Sequence, residues 1–153
     1  MFICARRAVK WPDLLLLGLI MAEIFSKEWM TKYKSLWNDD KDHIKQLADS
    51  DFSSNVGFGL VDEDQPRVLI EIQQGIITNL GAYNGEVLNW DLRGKSGFWV
   101  EVSKKAPGLM KLGLAYTSRD LKFFKGDYST MVKDPRLSTA FIKCFKFMSG
   151  IYS

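Results

Sequence analysis

From Ser26 onward, the apolar positions Trp29, Met30, Tyr33, Leu36 and Trp37 recur at the three- and four-residue spacing of one helix face. This predicts an amphipathic helix of about fifteen residues, capped by the Ser26 hydroxyl and ended by the polar run 38–40. Asp42 offers a cap for a short second helix carrying Ile44 and Leu47. Beyond Asp51 the period falls to two. Val56, Phe58 and Leu60 share one side of a strand, and residues 62–66 have turn composition. Val68, Ile70 and Ile72 then share a side with Glu71 and Gln73 opposite, so a hairpin is expected. Gly75 separates it from a third apolar segment, 76–83, and Asn84-Gly85 is a turn signal leading into a fourth. There Leu88, Trp90 and Leu92 alternate with Asn89, Asp91 and Arg93. Four strands in succession predict an antiparallel meander with one buried face.

After Gly94 the period returns to that of a helix. Ser96 serves as a cap for a helix with Phe98, Trp99 and Val102 on its apolar stripe, and Pro107 opens another with Leu109, Leu112 and Tyr116 on one side. The stretch 121–127, LKFFKGD, reads as a fifth strand. Pro135 then starts a closing helix in which Leu137, Phe141, Cys144, Phe145 and Met148 share a face, and Gly150 ends it. The expected fold class is α+β, with no internal repeat, linker or low-complexity tract.

Composition adds bulk to this picture. Ten Phe, five Trp, five Tyr and six Met in 153 residues supply either a thick core or the walls of an apolar cavity. Two cysteines, Cys4 and Cys144, with no CxxC spacing signal neither a disulfide framework nor a zinc site, which favours a reducing, cytoplasmic setting. Cys144 reads as a small hydrophobe on a helix.

The net charge of +3 is unevenly spread: residues 38–91 hold 11 acidic and 3 basic side chains, residues 94–153 hold 4 acidic and 11 basic. Such a split suits transient contact with phosphate head groups, an anionic membrane surface or an acidic partner. It equally suits a solvated lysine-rich face neutralised by the acidic half. Nucleic acid is disfavoured, because the basic residues form no dense run.

Candidate chemistry is sparse. His43, in the polar stretch DDKDHIK, has no nearby cysteine and no zincin spacing, so it reads as a surface residue and not a catalytic base. The glycines at 57–59 and 94–97 match neither a Walker nor a dinucleotide loop, and the run Asp62, Glu63, Asp64 lacks the register of a calcium loop. No catalytic residue, metal site or cofactor is expected.

The first twenty residues stand apart. Arg6, Arg7 and Lys10 precede the apolar run 14–22, the basic-then-apolar order of an export signal, but that run is too short to span a bilayer. Three readings stay open: a signal or membrane-surface anchor, a structured extension, and an over-extended reading frame whose true start is Met21. Residues 21–153 form the expected domain.

The order LNWDLRG, FWVEV, LGLAY and LKFFKGDYSTMVKD, sharp from Leu88 to Lys133, resembles the sterol carrier protein 2 family of lipid-binding domains. The resemblance implies a five-stranded, mainly antiparallel sheet covered on one face by helices, with an apolar tunnel between them. It also implies a non-catalytic role in intracellular binding or transfer of a fatty acid, fatty acyl-CoA, sterol-like or other apolar lipid. The alternative is an accessory protein-interaction or dimerisation module of the same fold in lipid or isoprenoid-quinone metabolism, for which a homodimer is one expected assembly.

On this resemblance Trp90 and Phe124 line the cavity floor, Phe98, Trp99, Leu109, Met110 and Leu112 the roof, and Phe141, Phe145 and Met148 the closing helix. Lys104, Lys105 and Lys111 stand near the mouth for an anionic head group, with plain solvation as their competing reading. Each apolar residue has the competing reading of plain core packing. The family alternation counted back from Gly126-Asp127 puts Lys122 and Phe124 inward, whereas Leu121 and Phe123 are the apolar pair on the other phase. A bulge or one-residue shift is therefore expected.

Overall fold

The computed structural model describes residue 18 and residues 23–152. The three readings of the first twenty residues fall outside the described residues, apart from Gly18. Two helices, α1 (Lys27–Asp39) and α2 (Lys41–Asp49), precede the strands β1 (Ser54–Leu60), β2 (Val68–Gln73), β3 (Ile76–Ala82) and β4 (Trp90–Gly94). Helices α3 (Ser96–Lys104) and α4 (Leu109–Ser118) lead to β5 (Leu121–Lys125), and α5 (Tyr128–Lys133) and α6 (Pro135–Gly150) close the domain.

The five strands form one sheet in the order β3-β2-β1-β4-β5. The neighbours β1/β2, β2/β3 and β4/β5 are antiparallel, as expected, but β4 pairs parallel to β1, with Val56 opposite Trp90 and Phe58 opposite Leu92. The meander reading is corrected at this point. The segment after β3 carries the chain back across the sheet to the free edge of β1, which periodicity within each strand does not encode.

Val56, Phe58, Val68, Ile70, Ile72, Trp90, Leu92 and Leu121 face the helices and join Trp29, Tyr33, Trp37, Trp99, Phe141, Phe145 and Met148 in one core. Burying each such side chain contributes about 1.5–3 kcal/mol. The polar atoms carried in with them mostly find partners. Tyr33 Oη donates to the Cys144 carbonyl at 3.0 Å, Trp37 Nε1 to the Gly75 carbonyl at 2.8 Å and Trp99 Nε1 to the Gly59 carbonyl at 2.9 Å. These three bonds pin α1 to α6, α1 to the β2–β3 turn, and α3 to the sheet. Burial pushes the Cys144 thiol up to about 12, which leaves it the inert small hydrophobe that its helix position suggested.

Several local expectations are corrected. Ser26 caps α1 through Trp29 N at 3.2 Å, but the cap of α2 is Asp40, accepting from His43 N at 3.0 Å, and not Asp42. Helix α3 begins at Ser96 with Lys95 in the cap position and no side-chain cap bond. His43, expected at the surface, is 1% exposed and packs edge-on against Trp37 and Phe147, because α2 folds back under α1.

The sheet face away from the core helices is partly covered too. The loop after β1 lays Pro66 across Gly57 and Gly59, and Leu69 and Leu88 are buried. Arg93, 2% exposed there, forks onto Asp91 through Nε at 2.6 Å and Nη2 at 2.8 Å and donates Nη1 to the Glu63 carbonyl at 2.9 Å. This pair holds the loop down. A planar guanidinium matched to a carboxylate and a carbonyl retains the hydrogen bonds that burial would otherwise forfeit.

Candidate functional site: the roof helix and its flanking clefts

The helices over the sheet are unequally anchored. Helix α6 packs on α1, α2, α3 and α5, whereas α4 has its main contact with the edge strand β5. Of its ten residues only Leu112 is buried. An amphipathic helix normally buries a broad stripe, so a helix that buries one residue of ten, with a half-exposed tyrosine stacked at its C-terminal end, is held more weakly than its neighbours. Its sequence, LMKLGLAYTS, carries no acidic residue and one cation, Lys111.

Open space borders α4 on both flanks. Toward α3 lies a cleft of about 250 Å³ whose apolar wall is Phe98, Val102, Pro107 and Ala115 and whose rim carries Glu101, Lys105 and Lys111. Toward β5 lies a wider groove of about 490 Å³ bounded by Tyr116, Thr117, Arg119, Leu121, Lys122, Phe123 and Phe124. A third opening, of about 290 Å³ near Trp90 and Leu137, is lined largely by polar groups, among them Ser53, Ser54, Asn89 and Arg136. The first is the best fitted to a hydrocarbon, with cations at its mouth.

Below the C-terminal end of α4 stands a column of rings. Tyr116 stacks on Tyr128 at 3.9 Å, Tyr128 meets Phe123 edge-on at 5.6 Å, and Trp90 meets Phe123 at 6.1 Å and Phe141 at 4.9 Å. Gly126, at φ +89°, lets the chain pass over Trp90: a Cβ there would lie 2.2 Å from the indole ring. The Trp90 orientation is thereby fixed.

Charge at the site is one-sided. Lys104 pairs with Glu101 at 3.6 Å and Lys95 with Asp120 at 3.4 Å, whereas Lys105, Lys111, Arg119 and Lys122 form no ion pair among the described residues. The nearest carboxylates are thus already engaged.

The residues expected to bind lipid do not gather at one place. Phe98, Lys105 and Lys111 meet at the α3/α4 cleft, and Trp90 borders the polar opening. Trp99, Leu112, Phe141, Phe145 and Met148 are each 2% exposed or less and pack among the core rings, so at these positions the space between sheet and helices is filled by protein and the expected tunnel is not open. Leu109 and Met110 point outward on α4. Lys104 is a half-exposed member of its ion pair.

Phe124 leaves the floor altogether. Asp91 stands opposite Lys125 while Leu92 stands opposite Phe123, so Phe124 is the extra residue of a bulge. Its ring turns to the outer face, 51% exposed, with the Arg93 guanidinium carbon 4.4 Å from its centroid. Phe123 takes the inward place. The conflicting phase at 121–124 leaves the inward phenylalanine open in the sequence, and the bulge assigns that place to Phe123 in place of Phe124. Val102, Ala115 and Tyr128 were not singled out as site residues.

Comparison with known proteins rests on structure. The chain superimposes on the crystal structure of sterol carrier protein 2 with a TM-score of 0.63 at 16% identity, over 83% of this chain and 98% of that one. The fold is that of sterol carrier protein 2. Protein TT1886 from Thermus thermophilus gives 0.57 at 16% identity, over 83% and 90% of the two chains. The UbiJ-SCP2 ubiquinone synthesis protein gives 0.52 at 6% identity, over 94% and 98%. No family model matches the sequence, and no curated protein sequence matches it.

Proposed function

We propose that this protein is a non-catalytic lipid-binding module that takes a long-chain fatty acid, a fatty acyl-CoA or a flat polycyclic lipid between α3 and α4. One observation carries the reading: the roof helix α4 buries a single residue, Leu112, beside an apolar cleft whose rim carries two lysines with no ion pair among the described residues. The hydrocarbon lies on Phe98, Val102 and Ala115, widening the cleft by lifting α4 while the aromatic core stays closed. Lys105 and Lys111 meet the carboxylate or phosphate of the head group. Each buried methylene contributes about 0.8 kcal/mol, so about six supply roughly 5 kcal/mol, and micromolar binding, about 8 kcal/mol net of the cost of association, requires a longer buried chain together with the head-group contacts. Selectivity among chains long enough to fill the cleft is loose, and no chemistry on the ligand is involved.

A second reading is favoured by the closed interior. With Trp99, Phe141, Phe145 and Met148 packed against one another, the same fold serves as an accessory interaction or dimerisation module in lipid or isoprenoid-quinone metabolism. The likeness to the UbiJ-SCP2 protein suits it.

Native mass spectrometry of the purified protein separates the two. A co-purified acyl or polycyclic lipid supports the first reading; a ligand-free homo-oligomer that takes up no fluorescent fatty acid supports the second. Phe98→Asp should abolish fluorescent fatty-acid uptake while the far-ultraviolet circular dichroism stays that of the parent. Uptake undiminished by that change in a folded protein overturns the assigned cleft.

A further inference from the structure

The outward side of α4 is as apolar as its inward side. Met110 and Leu114, one turn apart on the same ridge, are 82% and 65% exposed, and among the described residues no element covers them. An exposed Met–Leu ridge costs solubility unless something receives it. Its surroundings specify what. From Lys104 to Lys125 the chain carries six basic side chains against one acidic, Asp120, and that carboxylate is engaged by Lys95 at 3.4 Å. Lys105 and Lys111 at one end of the helix and Arg119 and Lys122 at the other are left without a counter-charge among the described residues.

We propose that α4 is a membrane-docking helix that lies in the head-group region of an anionic bilayer, Met110 and Leu114 inserted and the four free cations on lipid phosphates and carboxylates. An apolar ridge flanked by cations is the pattern of an interfacial helix, in which acyl burial and attraction to anionic lipid add. A protein partner with a matching groove would have to be both apolar at its centre and acidic around it; an anionic bilayer supplies both at once. No helix among the described residues is long and apolar enough to cross a membrane, which agrees with contact at the surface only. The inference does not depend on the cleft beneath α4 taking a lipid. If both hold, the helix that meets the membrane is also the one that lifts.

The experiment uses the full chain with a single environment-sensitive fluorophore at Met110→Cys in a Cys4→Ser background, Cys144 being buried. Phosphatidylcholine vesicles with one-fifth phosphatidylserine should shift its emission to the blue, and phosphatidylcholine alone should not. Cosedimentation should weaken about fivefold for each of Lys105→Gln and Lys111→Gln, and at least tenfold for Met110→Gln/Leu114→Gln in protein of unchanged circular dichroism. Vesicle binding without an emission shift would place the contact elsewhere on the chain and overturn the proposal. So would an emission shift that appears with rising protein concentration alone, which would make the ridge an interface between copies. Fluorescent fatty-acid uptake, measured in detergent-free solution, reports on the cleft separately.

Discussion

His43 sits with its ring 4.4 Å from Trp37 and 5.0 Å from Phe147, and neither of its ring nitrogens has a hydrogen-bond partner among the described residues. Burial lowers its pKa from the ordinary 6.5 to about 4, with Lys143 and Lys146 adding to the fall and Asp40 opposing it. The unfolded chain therefore takes up this proton first as the pH drops. The stability conferred by a neutral His43 is complete above about 6.5 and is lost as the pH falls through the folded value near 4, a difference on the order of 3 kcal/mol. Asp40, held below its usual range chiefly by the His43 backbone N–H, adds a second loss only at still lower pH. Urea unfolding followed between pH 7 and 4 should show the loss of stability in the parent and a nearly flat profile in His43→Phe. Parallel profiles would mean that His43 is not the responsible group. The sequence concealed this residue because DDKDHIK looks solvated, yet His43 and Leu47 share the inward side of α2 at an i, i+4 spacing.

At the scale of elements, side-chain period told which segments are strands and helices and which faces are apolar. Val56, Phe58 and Leu60 and the face of α6 lie where the pattern puts them. Pairing between distant strands has no such signature, which is why β4 beside β1 came as a correction. Helix α5 is six residues long, too short to show a period, though Asp127 accepting from Thr130 N at 2.9 Å is a readable cap. The inward turn of Phe123 depends on a bulge whose position the strand pairing sets, not the local sequence. Helix α4 was legible as a helix but not as a loosely held one, since burial depends on neighbours. Its looseness has a measurable counterpart. Amide hydrogen exchange should be faster in α4 than in α1 or α6 by at least two orders of magnitude, and a saturating long-chain fatty acid should slow it selectively. Equal protection across the three helices would contradict the roof assignment.

For the molecule as a whole, a closed aromatic core and a lightly held roof imply that stability and ligand capture reside in different places. The unliganded protein should unfold cooperatively, because the core linking the sheet with α1, α3 and α6 does not wait for a lipid to complete it. Ligand then adds to stability by mass action, about 2.7 kcal/mol at a free concentration one hundred times Kd, which raises Tm by roughly 5–10 °C for a chain of this size. A series of saturated fatty acids turns this into a test of the cleft. Each added methylene that reaches the wall formed by Phe98, Val102 and Ala115 should tighten binding about fourfold, the equivalent of about 0.8 kcal/mol, until the chain outgrows the space that lifting α4 can open. Calorimetric titration should therefore show a steep rise with chain length followed by a plateau, with the plateau reached earlier in Ala115→Leu, whose larger side chain shortens the slot. Affinity independent of chain length would mean that only the head group is bound, by Lys105 and Lys111 at the surface. The domain would then be a filled scaffold in which the sterol carrier fold is kept for the faces it presents.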